Sequence, residues 1–442
     1  MRVKNIFSFF KPDTTKALQF FQLFRFGAIF LIGIFFSKTG LSLDQIGTYE
    51  ILMLLGSLVS FFWLSGIINS LLSLYKETQT DEGPKSKIIF TAFILICIFS
   101  ACGFICLRIF SKSILALIGY QKELNYFNLF SWFALLNVPT FLIEYILLLK
   151  NKSKGIILYA LVSFTLQIIV TVIPAYLFKS IEGSIYGLLI LAILKFLLLI
   201  MLLKKYAAFE IEGPAISLFI QSATPLILST LLSGSAEYID GTLVSHFFGT
   251  GKFAIYQYGA RELPIALLLA NAMSSAMIPY FAKEPLKDTL ARIKKQSTQL
   301  MHVLFPASAV LLLISKKVYP VLFNPAFMES AGIFNIFLLL IVSRLVFPQT
   351  ILIGLKHNKA ILFTSLLELF LNIGFTLYFL SIFGIAGVAI GTVVAYFIEK
   401  IILVFYTSYS LKIHARTYIP VPLLSIYTIL LLCIFFINLV YL

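Results

Sequence analysis

Residues 88–107 read IIFTAFILICIFSACGFICL, twenty consecutive positions without a charged side chain. A helix rises 1.5 Å per residue, so such a run makes a rod of about 30 Å, the thickness of a bilayer's hydrocarbon core. The chain on either side repeats the pattern. Comparable runs occupy about 17–36, 47–75, 88–108, 124–149, 155–178, 184–203, 215–247, 252–279, 297–314, 330–354, 358–380, 384–408 and 420–441. An all-α polytopic membrane protein of about 13 helices is expected, because strands of a closed barrel would instead alternate in ten-residue pieces. Composition agrees: 60% of the 442 residues are hydrophobic and only 12% are charged, against about 25% charged in soluble domains. A water-soluble enzyme, a secreted disulfide scaffold and a disordered adaptor are excluded.

The formal charge of +15 is read as topology rather than as nucleic-acid binding, since excess Lys and Arg collects in cytoplasmic loops. With the N-terminus inside, 21 of the 34 basic residues fall on cytoplasmic segments, eight on the opposite face and five within spans. A cytoplasmic N-terminus is therefore expected. Residues 1–16 are polar and basic and lead straight into the first run, without the pattern of a cleavable signal. Cys97, Cys102, Cys106 and Cys433 form no CxxC pair and no zinc spacing, and the four histidines are scattered. No metal or cofactor is called for, and without a GxxxxGK[ST] motif the chain has no P-loop of its own.

The two halves repeat each other. Gly47-Thr48-Tyr49 and Ala254-Ile255-Tyr256 open the second helix of each half, 207 positions apart between the tyrosines. Asn151-Lys152 and Asn358-Lys359 follow the fourth helix of each, again at 207. Gly183/Gly187 and Gly387/Gly391 form GxxxG pairs at the sixth, 204 apart. The expected organisation is an N-terminal lobe (1–203), a cytoplasmic linker (204–214), a C-terminal lobe (215–410) and a loop with one extra helix (411–442). Two six-helix lobes of even number enter the membrane in the same direction, so a pseudo-two-fold along the membrane normal relates them. A gap lined by helices 1, 2, 7 and 8 is expected, with the prolines Pro139, Pro174, Pro225, Pro264, Pro306 and Pro348 read as mid-helix bending points.

One stretch, Phe36-Ser37-Lys38-Thr39-Gly40-Leu41-Ser42-Leu43-Asp44-Gln45-Ile46-Gly47-Thr48-Tyr49, has a partner in the second half. That partner is Ala236-Glu237-Tyr238-Ile239-Asp240, then Phe248-Gly249, then Ala254-Ile255-Tyr256-Gln257-Tyr258. This progression resembles the polysaccharide transporter family, O-antigen flippases included, of the multidrug/oligosaccharidyl-lipid/polysaccharide exporter superfamily. The resemblance implies a transporter of an undecaprenyl-pyrophosphate-linked oligosaccharide in a bacterial inner membrane, working by alternating access in lipopolysaccharide or other surface-polysaccharide assembly. It also implies arginines on helices 1 and 8 that face an anionic lipid head. Family members mostly have twelve or fourteen helices, and thirteen departs from that.

Charges inside the spans carry the functional reading, because each costs at least about 2.5–3.5 kcal/mol at a lipid-facing helix centre. Gln19, Gln22 and Arg25 form a polar strip on helix 1, and Ser217, Gln221, Thr224 and Ser235 form one on helix 7. Arg25 and Arg261, with Arg344 as a third candidate, are assigned to the pyrophosphate, since a guanidinium binds phosphate oxygens bidentately and keeps its charge when desolvated. Gln22 and Gln221 join them as cavity residues. Glu50, Glu262 and Glu368 are the expected charge partners of the arginines. Glu237 and Asp240, one turn apart near the outer end of helix 7, are candidates for coupling to H⁺ or Na⁺. Glu144, Lys195, Glu399 and Lys400 are read as locally satisfied, Glu144 by reaching water. Expected partners are the lipid-linked oligosaccharide, membrane lipids and other polysaccharide-assembly proteins, with no nucleic acid. A cation-coupled multidrug antiporter of the same superfamily is the first alternative. A membrane glycosyltransferase or polymerase is the second, disfavoured by outer loops of only about fifteen residues.

Overall fold

The computed structural model describes residues 14–78, 86–120, 124–210, 213–261 and 264–441, and the described residues are almost wholly helical. They divide into two compact units, Met1–Leu231 and Leu232–Leu442. Unit 1 contains α1 (Thr14–Lys38), α2 (Leu43–Thr78), α3 (Lys87–Ile109), α4 (Ser111–Leu117), α5 (Phe127–Thr140), α6 (Leu142–Leu149), α7 (Ser153–Phe178), α8 (Glu182–Tyr206) and the first part of α9 (Gly213–Gly259). Unit 2 takes the rest of α9, then α10 (Pro264–Met277), α11 (Tyr280–Lys283), α12 (Leu286–Leu322), α13 (Met328–Leu338), α14 (Ile341–Arg344) and α15 (Pro348–Gly354). It ends with α16 (Asn358–Phe383), α17 (Ile385–Tyr409), α18 (Ala415–Tyr418) and α19 (Val421–Tyr441).

Eleven described segments are long and apolar enough to cross a membrane, and a twelfth forms if Ile216–Leu232 and Gly234–Gly259 are one broken span. The expectation of thirteen is corrected at 252–279. Helix α9 is broken at Gly249, where φ is 77°, and stops at Gly259; the helix that follows, α10, with its apolar stretch Ala266–Met277, is too short to cross by itself. Pro264 starts that helix, where its missing N–H goes unneeded, and Pro348 likewise opens α15. Neither proline sits inside a helix, contrary to expectation; Pro174, Pro225 and Pro306 do.

Local signals set the helix ends. Ser42 and Gln45 make a capping box at the start of α2, the Gln45 amide donating to Ser42 Oγ at 3.2 Å and the Ser42 amide to Gln45 Oε1 at 3.0 Å. Gln45 Nε2 also reaches the Lys179 carbonyl at 3.2 Å, and Lys179 Nζ donates to the Thr39 carbonyl at 2.7 Å, so the α1–α2 turn is tied to the α7–α8 turn. Unit 1 packs around Trp63, Ile67, Leu71, Ile96, Leu142, Ile146 and Leu203; the first part of α9 adds Phe219 and Ala223. Unit 2 packs around Ile293, Met301, Leu304, Phe305, Leu345, Ile351 and Tyr418. Large apolar side chains such as Phe178, Val321, Phe363 and Phe405 point outward, as lipid-facing residues do. Helix α19 is held to α12 by Asn438, whose Nδ2 donates to the Leu312 carbonyl at 2.7 Å and whose own carbonyl accepts from Lys316 at 2.7 Å.

The backbone carries the internal repeat that the sequence suggested. Left-handed φ angles occur at Gly40 and Gly249, at Asn151 and Lys356, and at Lys179 and Gly384, pairs 209, 205 and 205 positions apart. Both GxxxG pairs are sites of close helix contact. A Cβ added at Gly187 would lie 2.2 Å from the Val170 carbonyl oxygen, and one at Gly387 would lie 2.0 Å from that of Phe379. Lipid gives no hydrophobic drive to helix pairing, so backbone approach through small residues has to supply it.

Gly387→Ala should therefore lower the unfolding free energy of the detergent-purified protein by about 1–3 kcal/mol, the usual range for overpacking. Gly374→Ala makes the same helix-propensity change on α16 with nothing within 4 Å of the new methyl. It should leave the thermal midpoint unchanged or raised. Equal midpoints for the two variants would mean that the close approach contributes nothing.

Candidate functional site

Unit 1 gathers three charges within its span helices. Arg25 on α1 is half-buried, with its guanidinium carbon 5.7 Å from the centre of the Phe141 ring. It interacts electrostatically with Glu144 on α6 and Lys195 on α8. Lys195 Nζ lies 5.8 Å from the Phe164 ring centre. Glu144 is 2% exposed, so it does not reach water as expected; it interacts electrostatically with both cations instead. Beside Arg25 on the same strip, Gln22 is half-buried and Gln19 exposed. On α9, Ser217 and Gln221 are exposed and joined by a 3.3 Å hydrogen bond.

Unit 2 gathers four. Arg344 closes the short helix α14 rather than standing mid-helix, which places its cation at a helix C-terminus. Its guanidinium carbon lies 5.0 Å from the Tyr396 ring centre. It interacts electrostatically with Glu368 on α16 and Lys400 on α17. Gln349 on α15 bridges the neighbouring pair, accepting from Lys400 Nζ at 2.8 Å and donating to Glu399 Oε1 at 2.9 Å. Glu399 and Lys400 are themselves 3.8 Å apart. Glu368 is 4% exposed.

The two clusters are versions of one arrangement. Lys400 stands 205 positions after Lys195, and Gln349 stands 205 after Glu144. In each unit a lysine on the sixth helix of the half faces position 144 or 349 on the fourth. That spacing matches the backbone repeat above and is legible in the sequence; Glu144, Lys195 and Lys400 read individually as snorkelling or locally paired residues, and Gln349, a neutral amide, gives no charge signal.

Arg261 lies between α9 and α10, not within a helix, half-buried with its guanidinium carbon 4.7 Å from the centre of the Tyr258 ring. Tyr258 in turn stacks on Phe327 at 4.7 Å, and its carbonyl accepts from the Tyr319 hydroxyl at 3.1 Å. Glu262 and the side chain of Glu237 lie outside the described residues. Glu50 is buried on α2.

Asp240 is not at an exposed helix end as the sequence suggested. It is 3% exposed and meets α16 and α17 through hydroxyls, accepting from Thr376 at 3.4 Å and from Thr392 at closer range. Asn372 Nδ2 donates to Thr392 Oγ1 at 3.1 Å, while its Oδ1 has no hydrogen-bond partner. The Val388 carbonyl lies 3.1 Å from the Thr392 hydroxyl. Carboxylate, amide, carbonyl and hydroxyl oxygens thus converge in a buried place. Hard monovalent and divalent cations, and protons, take such donors. Sequence reading found Asp240 but missed Asn372, Thr376 and Thr392, since only packing brings three distant helices together.

Comparison with known proteins adds the following. A family model described as polysaccharide biosynthesis protein matches residues 40–332. No curated protein matches in sequence. Among solved structures, a lipid II flippase, MurJ, in an inward closed conformation is 17% identical with a TM-score of 0.69, covering 96% of this chain and 93% of that one. An inward-facing multidrug resistance MATE family transporter of the MOP superfamily is 13% identical with a TM-score of 0.61, covering 87% and 94%. A MOP superfamily transporter from Pyrococcus furiosus is 14% identical with a TM-score of 0.58, covering 91% and 97%. At these identities the likeness is one of fold.

The bridging amide of unit 2 allows a direct check. Gln349→Leu removes the hydrogen bonds to Glu399 and Lys400 at once and leaves only their 3.8 Å ion pair, at about 1–3 kcal/mol for each group left unsatisfied. A clear drop in the thermal midpoint is expected, whereas Gln221→Leu at an exposed position should change it little.

Proposed function

The chain belongs to the polysaccharide biosynthesis protein family, and from that premise we propose that it is a flippase. It carries an undecaprenyl-pyrophosphate-linked oligosaccharide, an O-antigen or other surface-polysaccharide unit, from the cytoplasmic to the outer leaflet of a bacterial inner membrane. The family membership supports the glycan. The multi-pass fold, similar to that of flippases and multidrug transporters, supports carriage rather than synthesis.

The observation that carries this reading is the trio of half-buried arginines, Arg25, Arg261 and Arg344, each set against an aromatic ring in or beside a span. An ion leaving water for hydrocarbon faces a penalty of tens of kcal/mol unless fixed donors replace its hydration. Arginine meets that need for phosphate oxygens, and an aromatic face beneath it fixes the orientation of the fork. Gln22 and Gln221 are assigned to the sugar end, where neutral donors suffice. An inside-negative potential moves the anion outward by about 2.3 kcal/mol per charge per 100 mV. In this reading the N-terminus is cytoplasmic, and the enzymes that build the lipid-linked glycan are neighbouring partners.

The Asp240 cluster is assigned to the coupling ion, Na⁺ or H⁺, which travels as cargo. A buried carboxylate with an unpartnered amide oxygen beside it fits a cation better than it fits glue between helices. The same cluster is what a cation-coupled multidrug antiporter would need, but three arginines would repel a cationic drug.

Glycan export in cells is the deciding measurement. Arg25→Ala and Arg261→Ala should each lower it at least about tenfold at normal protein levels, the loss expected when a charge-assisted hydrogen bond is removed. Arg→Lys should recover part of it, keeping charge but losing the fork. Full export by both alanine variants would refute the assignment. Asp240→Asn should remove the response of transport to an imposed Na⁺ or H⁺ gradient; an unchanged response means that the ion site lies elsewhere.

A further inference from the structure

Unit 2 holds one more acid than its ion pairing uses. Glu399 is already occupied, accepting from Gln349 at 2.9 Å with Lys400 at 3.8 Å. Glu368 is 4% exposed, and its Oε1 is buried without a hydrogen-bond partner. The ionisable groups facing it are Glu399 and Lys400 from α17, Arg344 from α14 and Asp240 from α9. The neutral amide of Gln349 joins Glu399 and Lys400 from α15. A carboxylate serving as glue would have its oxygens partnered, as Glu399 does through a hydrogen bond from Gln349 and an ion pair with Lys400.

Comparison within the chain isolates Glu368. Unit 1 has two cations, Arg25 and Lys195, and one acid, Glu144, so its cluster carries one net positive charge when all three are ionised. The position 205 residues before Glu368 is Ser163, so unit 2 has gained an acid where unit 1 has a hydroxyl. With Arg344, Lys400, Glu399 and Glu368 all ionised, the cluster of unit 2 is neutral. One proton on Glu368 restores the single positive charge of unit 1. Helix geometry adds a link: Glu368, Asn372 and Thr376 lie four apart on α16, so one face of that helix joins this cluster to the hydroxyls around Asp240.

We propose that Glu368 is a proton-binding site that switches the Arg344–Lys400 pair between a self-neutralised state and one that holds an anionic phosphate group. The proton is taken from water onto the Glu368 carboxylate and returned to water, with no other bond made or broken. The neutral acid frees Arg344 from its competing anion, and the phosphate then provides the missing negative charge. Loss of the proton puts the competing carboxylate back and expels the anion. The proton site stands on the geometry of unit 2 alone; its use on phosphate rests on the flippase reading.

Two measurements on the purified full-length protein test the two parts. Difference infrared spectra across a pH titration read the C=O stretch of a protonated buried carboxyl. A band that rises as the pH falls is expected in the wild type, in Glu399→Gln and in Asp240→Asn, and its loss is expected in Glu368→Gln. A band that survives in Glu368→Gln overturns the site. Calorimetric binding of farnesyl pyrophosphate at pH 6 and pH 8 reads the switch. The wild type should bind at least tenfold more tightly at the lower pH than at the higher. Glu368→Gln, fixed in the neutral form, should keep the tighter affinity at both, apart from the probe's own titration, which both proteins share. The same pH dependence in both overturns the switch. A titrating Glu368 band without probe binding by either protein counts against the flippase reading and the switch together, and leaves the proton site standing.

Discussion

Lipid offers the chain neither hydrogen bonds nor counter-ions, so each polar group within a span has to find its partner inside the protein. Helices answer this for the backbone. For side chains the answer is local and expensive, and it explains where the buried charges sit. Glu144 interacts with Arg25 and Lys195, Glu399 is held by Gln349 and Lys400, and Asp240 meets the hydroxyls of Thr376 and Thr392. Remove that constraint and these groups would have no reason to converge from helices so far apart in the chain.

The same constraint shapes packing. Helices surrounded by hydrocarbon gain little from burying leucines, and large apolar residues such as Phe363 and Phe405 accordingly face outward. Close approach through glycine takes over the role of the soluble core. It does so at Gly183/Gly187 against α7 and at Gly387/Gly391 against α16, so that each unit has a tightly opposed helix pair of this kind. The lysine of each cluster, Lys195 or Lys400, is carried on the glycine-bearing helix of that pair, α8 or α17. Tight packing holds the cation's stem in place, which suits a charge that must meet a particular partner.

Duplication gives the molecule its functional asymmetry. The two units keep the lysine and the turn geometry but differ in the acids. Unit 1 has Glu144 where unit 2 has Gln349, and unit 2 adds Glu368 and Glu399. Beside the Asp240 cluster the acids balance the bases, whereas around Arg25 the bases are in excess.

Much of this was open to a reader of the sequence, for a physical reason. Spanning helices need about twenty apolar residues, a requirement so coarse that composition alone reveals it, and eleven of the thirteen expected runs correspond to spans. The repeat was visible at Asn151/Asn358 and in the GxxxG pairs because turn chemistry and close approach each demand particular residues. Where the helices break was not visible. Hydropathy is blind to the interruption after Gly259 that takes Arg261 out of a helix, and to the ending of α14 at Arg344. Nor could the sequence pair the charges, since pairing depends on which faces of packed helices meet. It offered Glu50, Glu262 and Glu368 as partners for the arginines, of which Glu368 does interact with Arg344; only the tertiary structure added Glu144 to Arg25 and enclosed Asp240 among Asn372, Thr376 and Thr392. Transfer of a side chain into lipid is a property of one residue and its neighbours in the chain; satisfaction of a buried charge is a property of the fold.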